Sequence, residues 1–100
     1  QIIFIYILFL YIKYLKMKEY FKDIEKKLKK KIDFQKLEII NNSHKHKGHK
    51  FFSEDKYHLH LKISSLYLKS ISRLSAQKLI MNILKEDLKT KIHALEISIY

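Results

Sequence analysis

Residues 56–64 alternate strictly between apolar and polar side chains. This period of two predicts a β-strand with one buried face and one open face. The apolar row is Tyr57, Leu59, Leu61 and Ile63, and the polar row is His58, His60, Lys62 and Ser64. In a chain of 100 residues, such a strand must share one small core with its neighbours, so the sequence predicts a single folded domain.

Two other segments place apolar residues at three- and four-residue spacing, which predicts amphipathic helices over residues 18–32 and 72–88. The apolar positions are Tyr20, Phe21, Ile24, Leu28 and Ile32 in the first segment, and Ala76, Leu79, Ile80, Ile83, Leu84 and Leu88 in the second. Glu86 and Asp87 lie near the end of the second predicted helix, against the preference of the helix dipole. Residues 66–68 are read as a short apolar link.

Residues 34–40 and 95–99 read as two further strands. The element order is then αββαβ, with both helices able to cover one face of the sheet. We therefore expect a small α+β sandwich.

Residues 2–12 form an unbroken apolar and aromatic run, followed by Lys13, Lys16 and Lys18. Eleven helical residues rise about 16 Å, well short of a hydrocarbon core of about 30 Å, so no stable membrane span is expected. We expect residues 1–16 to form a hydrophobic extension, as a leader, a membrane-surface anchor or a gene-model artefact, and residues 17–100 to form the folded domain.

The chain carries a formal charge of +11 and a pI near 9.8, which favours acidic partners such as nucleic acid or anionic lipid. A solvated lysine face explains the same composition. The candidate nucleic-acid contacts on the two helices are Lys22, Lys26, Lys29, Lys30, Arg73 and Lys78.

Three histidines, His44, His46 and His49, lie in the polar loop between the first two predicted strands. Neutral imidazole is a common ligand for zinc and iron, whereas the neighbouring lysines favour a merely solvated basic loop. The chain has no cysteine, so it offers neither a thiolate ligand nor a cysteine nucleophile. No nucleophile elbow, phosphate-binding loop, dinucleotide fingerprint or HExxH pattern is present, and we expect no enzymatic activity.

Several segments, in this order and spacing, resemble the BolA family over residues 21–100. They are LEIINNSHKHKGH at residues 37–49, YHLHLKISSLYL at 57–68, LKEDL at 84–88 and IHALEISI at 92–99. The resemblance implies a three-stranded mixed sheet with helices on one face, in the class II KH-like arrangement.

The resemblance also implies a function. BolA proteins share a 2Fe-2S cluster with a monothiol glutaredoxin and its glutathione, in iron–sulfur cluster assembly, transfer or sensing. The histidine of the last-strand motif is a ligand, which corresponds to His93 here. The second ligand comes from the loop, where His46 aligns best and His49 and His44 are alternatives. The isolated protein would then hold no cofactor of its own.

The sequence also departs from the family pattern. Ala76, Gln77 and Lys78 stand where relatives usually carry an Arg-His-Arg triplet, and Leu68 and Ser70 stand where they carry Phe and Gly. An alternative function is that of a basic KH-like transcriptional regulator, although one glycine cannot supply the GXXG loop of nucleic-acid-binding KH domains. We expect His58 to be a structural or surface residue and His60 to be exposed. The compartment is expected to be cytoplasmic or mitochondrial, with the nucleus as an alternative.

Overall fold

The computed structural model describes residues 2–43 and 56–100. It contains helices and strands in the order αββαααβ. The elements are α1 (Ile2–Lys31), β1 (Lys36–Asn41), β2 (Tyr57–Ser64), α2 (Leu66–Ser70), α3 (Arg73–Ile83), α4 (Lys85–Thr90) and β3 (Ile92–Ile99).

The three strands form one mixed sheet in the order β1-β2-β3. The central strand β2 is antiparallel to β1 and parallel to β3. A parallel pair needs a crossover connection, and here α2, α3 and α4 supply it. The predicted α+β fold with a three-stranded mixed sheet is therefore confirmed.

The core lies between the helices and one face of this sheet. Leu59, Leu61 and Ile63 of β2 are almost fully buried, as the alternation predicts. They face Ile24 and Leu28 of α1 across the core. The remaining buried apolar residues are Tyr20, Ile32, Leu68, Ala76, Ile80, Leu84 and Ile92.

The second predicted helix is in fact two helices, with a break at Leu84. The prediction of one helix over residues 72–88 was wrong in this detail. The apolar spacing does not reveal the break, because Leu84 is fully buried and the spacing continues through it. Glu86 and Asp87 therefore lie in the first turn of α4, where the helix dipole favours acidic side chains.

The segment after β2 was predicted to be an apolar link, but it is the short helix α2. The buried Ser65 caps it, because its Oγ accepts a hydrogen bond of 3.0 Å from the backbone N of Leu68. The same hydroxyl donates to the carbonyl of Asp33, at 2.7 Å. Ser65 therefore ties the end of β2 to the segment that leaves α1.

The first helix extends well beyond its predicted start. It runs without a break from Ile2 to Lys31, yet its buried residues are only Tyr20, Ile24 and Leu28. The N-terminal turns carry exposed apolar side chains. The helix passes through the proposed boundary at residue 16, and the division into residues 1–16 and 17–100 stays a prediction.

Among the described residues, no helix has the length and apolar character that crossing a membrane would require.

Candidate functional site

An irregularity at the start of β3 determines where His93 lies. Tyr57 pairs with Ile92 and His58 pairs with Ala94, so His93 is the extra residue of a β-bulge. A bulge changes the direction in which a strand presents its side chains. Ile92 is buried in the core, whereas His93 and Ala94 are exposed.

The ring of His93 lies against the ring of His58. Their centroids are 4.9 Å apart and the rings are inclined at 44°. His58 is almost buried, with 9% of its surface exposed. The residue that was expected to be structural or at the surface is thus buried and in contact with the predicted cluster ligand.

The same end of the sheet holds the start of the histidine-bearing loop. The backbone N of His58 donates to Ser43 Oγ at 3.1 Å, and the backbone N of Asn42 donates to the carbonyl of His58 at 2.7 Å. Ser43 in turn donates through its backbone N and its hydroxyl to Asn41 Oδ1. These bonds fix the chain next to His58 immediately before the loop begins.

The loop also returns at this end. The backbone N of Tyr57 donates to the carbonyl of Lys91 at 2.8 Å, two residues before His93. Ser43 and Tyr57, near the two ends of the described chain around this loop, therefore both lie beside the start of β3. His44, His46 and His49 themselves lie outside the described residues.

A second polar group lies on the open face of the sheet. The Nε2 of His60 lies 2.7 Å from Ser98 Oγ, and its Nδ1 lies 3.5 Å from Glu96 Oε2. The expectation that His60 is exposed was wrong, because Ser98 on the adjacent strand binds its ring and only 17% of the side chain is accessible.

The order Ser-His-Glu resembles a hydrolase triad, but the Glu96 side chain is 70% exposed on an open sheet face. Water screens the charge of Glu96 at such an exposed position. We regard His60 and Ser98 as a cross-strand hydrogen-bonded pair, with Glu96 as an exposed neighbour of His60.

Below the sheet, a buried polar cluster joins α1 to α4. Asp87 accepts hydrogen bonds from Tyr20 Oη and Lys27 Nζ, both at 2.7 Å. The Lys91 ammonium lies 4.7 Å from the centroid of the Tyr20 ring. Burial and then the hydrogen bond to Asp87 raise the pKa of Tyr20 well above that of an ordinary tyrosine.

An aromatic stack links this buried cluster to the site. The rings of Tyr20 and Tyr57 stack with centroids 5.6 Å apart, and burial raises the pKa of Tyr57. Sequence reasoning missed the Tyr20–Asp87 contact, since 67 positions separate the partners and no local pattern signals it. The cluster therefore contacts the side chains of Tyr57 and Lys91, which precede His58 and His93 in the chain.

The candidate nucleic-acid contacts are exposed on the helices rather than on the open face of the sheet. Lys22, Lys26, Lys29 and Lys30 lie on α1, and Arg73 and Lys78 lie on α3. Within residues 2–43 and 56–100, no group of three or more metal-ligating side chains is assembled. A complete metal site is therefore not formed by the described part of the chain alone.

Comparisons with known proteins found relatives in sequence and in fold. The family model of the BolA-like proteins matches residues 28–100. A protein from Sinorhizobium sp., described as an uncharacterised protein in the cobS 5′ region, is 36% identical over 76 residues, covering 74% of this chain and 82% of its own length.

Two solved structures from Arabidopsis thaliana are similar in fold and sequence. The BolA domain of SufE1 is 32% identical with a TM-score of 0.65, and BolA1 is 30% identical with a TM-score of 0.66. Each match covers 78% of this chain and 86% of the other. The match of the family model over most of the chain, together with these two structures, shows that this protein belongs to the BolA-like family.

Proposed function

We propose that this chain is a non-enzymatic adaptor that pairs with a monothiol glutaredoxin to hold a shared 2Fe-2S cluster, for iron–sulfur cluster assembly, transfer or sensing. The observation that supports it most is the position of His93. Its side chain is exposed at a bulge, against the ring of His58, at the end of the sheet where the histidine-bearing loop leaves and returns.

The donor chemistry fits such a cluster only if a partner contributes. Neutral imidazole ligates iron, as in Rieske centres, where two histidines replace two cysteines on one iron. This chain has six histidines and no cysteine, so any thiolate ligand must come from another molecule. A glutaredoxin cysteine and glutathione are thiols of the required kind. When bound, the cluster supplies an iron–sulfur unit that can be transferred or can respond to redox conditions.

Chain length allows a loop histidine to reach the same place. Ser43 is bonded to His58, whose ring contacts that of His93. Three residues of extended chain span at most about 10 Å, so His46 is within reach of this end of the sheet. His44 is one residue and His49 is six residues from Ser43, which allows spans of at most about 4 Å and about 20 Å, and both stay alternatives.

The described residues position His93 in two ways. The bulge turns His93 outward while Ile92 remains in the core, so the ligand is held on a rigid element. The adjacent ring of His58 limits the directions in which the His93 imidazole can turn. The role proposed for His58 is therefore to orient the ligand.

The test is a titration of the protein with a monothiol glutaredoxin that carries its glutathione-ligated cluster, followed by visible absorption and circular dichroism. We expect a new spectrum that saturates at one-to-one stoichiometry. His93→Ala should abolish it, and His46→Ala, His49→Ala and His44→Ala should rank the loop candidates. His60→Ala is the matched control, because it removes an imidazole from the same strand that carries His58. An unchanged spectrum with His93→Ala would contradict the proposal.

A second candidate function is nucleic-acid binding through α1. Four of its exposed lysines, at positions 22, 26, 29 and 30, are the candidate contacts, and the helix carries nine lysines and three acidic residues. Such binding should weaken steeply as salt increases, because it would depend on phosphate neutralisation. Lys26→Gln with Lys30→Gln should reduce affinity for all sequences alike, and retained affinity would exclude this surface.

A further inference from the structure

The N-terminal half of α1 exposes apolar side chains to an unusual extent. In residues 2–12 every side chain is apolar or aromatic, and all are exposed. The exposed fraction reaches 85% at Ile2 and remains 57% at Phe9. The folded core does not use this segment, since burial in α1 begins at Tyr20.

These side chains surround the helix instead of forming a stripe. Successive residues are about 100° apart around a helix, so eleven consecutive apolar residues cover all directions. Tyr6 and Phe9 line a cleft of about 450 Å³ that also involves Tyr57, and Tyr6 is nevertheless 61% exposed. A groove on a protein, or a second helix, covers one stripe of a helix, whereas a lipid layer surrounds it.

The lysines begin where the apolar run ends. Lys16 and Lys18 lie at about 300° and 140° around the helix from Lys13, so the three form a collar on all sides. Tyr11 and Tyr14 lie at the same level, and tyrosine is enriched where hydrocarbon meets lipid headgroups. The Lys18 ammonium lies 5.6 Å from the centroid of the Tyr14 ring.

The charge of the chain identifies the surface that it suits. All nine lysines of α1 follow residue 12, and the whole chain carries +11. Positive side chains next to an inserted apolar segment favour anionic lipid headgroups. Two copies of a chain with this charge repel each other, which disfavours self-association through the same helix.

We infer that the apolar turns of residues 2–12 insert into an anionic lipid membrane, with the collar of Lys13, Lys16 and Lys18 at the headgroups and the sheet outside. The uncharged run is about 16 Å long, which reaches about half of a hydrocarbon core of about 30 Å. Insertion of residues 2–12 therefore places them within one leaflet. It is independent of the proposed cluster function, because His93 lies in β3 and not on this helix.

The chain lacks cysteine, so single-cysteine variants can carry an environment-sensitive fluorophore at one position. Leu8→Cys places it within the apolar run, and Leu74→Cys places it at an exposed leucine of α3. The full-length protein is mixed with vesicles of phosphatidylcholine alone or with phosphatidylserine. We expect the probe at residue 8 to brighten and shift to shorter wavelength only with anionic vesicles, and the probe at residue 74 to remain unchanged.

Flotation of the same vesicles measures binding. Ile5→Asn with Phe9→Asn should lower the bound fraction about tenfold, because each buried CH₂ contributes to insertion. Leu74→Asn, with the same chemistry on α3, should have no effect. The triple variant with Lys13→Gln, Lys16→Gln and Lys18→Gln should bind anionic vesicles less. The binding that remains should depend less on salt concentration.

Three results would overturn the inference. The first is a probe at residue 8 that does not respond to vesicles. The second is equal binding to both vesicle types with no effect of the collar substitutions. The third is a dimer in sedimentation that Ile5→Asn with Phe9→Asn dissociates, which would make a second copy the occupant of this helix.

Discussion

The two faces of strand β2 have the same backbone and very different surroundings. On the face covered by the helices, Leu59, Leu61 and Ile63 are almost fully buried. On the open face, His60, Lys62 and Ser64 are half-buried, and they pair with side chains of neighbouring strands or face solvent. The covered face accounts for stability, while the open face leaves polar groups available at its two ends.

The two ends of the open face differ as well. At one end, His58 and His93 are in contact and the loop with the other histidines is attached. At the other end, Lys36, Glu38 and Lys62 line a shallow cleft without a histidine. Among the described residues, His93, the ligand that we propose, therefore lies at the loop end.

The largest effect is expected on the covered face. Leu61→Ala removes a fully buried side chain from the central strand and should lower the free energy of unfolding by about 3 kcal/mol. Lys62→Ala, the next residue on the open face, should change it by less than about 0.5 kcal/mol. Chemical denaturation measures both, and a similar cost for the two variants would contradict the distinction between the faces.

The buried cluster beneath the sheet should give the next largest effect. Asp87→Ala leaves the Tyr20 hydroxyl without its acceptor and should cost about 2 kcal/mol of stability. Glu86→Ala is the control, since Glu86 is exposed and its pair with Lys89 at 3.9 Å is worth little. A loss below about 0.5 kcal/mol for Asp87→Ala would mean that the cluster does not stabilise the fold.

Alkaline pH should weaken the same cluster. The pKa of Tyr20 is raised in the folded state, so the unfolded chain releases this proton near pH 10 while the folded chain retains it. Stability from Tyr20 is therefore fully present below about pH 10 and falls above it, by up to about 1.4 kcal/mol per pH unit. Tyr20→Phe should unfold with a shallower dependence on pH between 10 and 11. Equal slopes for the two proteins would contradict the assignment.

The smallest effect is expected on the open face. The His60–Ser98 hydrogen bond should contribute about 0.5 to 1 kcal/mol, measured as the coupling energy of His60→Ala and Ser98→Ala in a double-mutant cycle. Glu96→Ala should add little, because its side chain is mostly exposed. A coupling energy above about 2 kcal/mol would show that this face is protected from solvent more than the structure indicates.

Much of the fold could be predicted from spacing alone. The apolar positions of residues 18–32 and the alternation over residues 56–64 each identified their buried face, because one side of each element packs on the core. The break at Leu84 could not be predicted, because the apolar spacing is the same on both sides of it. The length of α1 was missed, since its first turns are exposed and lack the apolar spacing of a helix with one buried face.

The candidate site was less accessible to sequence reasoning. His93 was singled out through the family resemblance, but its bulge depends on how β3 pairs with β2. One local signal existed, since Ile92 and Leu95 both face the core although they are three residues apart. The contact of His93 with His58 joins residues 35 positions apart, and only the register of the sheet brings them together.

The most direct test of the proposed function is to detect histidine nitrogen at the cluster. The protein is prepared with isotopically labelled histidine, mixed with an unlabelled glutaredoxin that carries the cluster, reduced, and measured by pulsed electron paramagnetic resonance. Nitrogen couplings of the labelled isotope should appear, and His93→Ala should remove them in part or entirely while its free energy of unfolding changes by less than about 1 kcal/mol. Couplings that are absent in the unmodified chain, or identical in His93→Ala, would show that His93 is not a ligand.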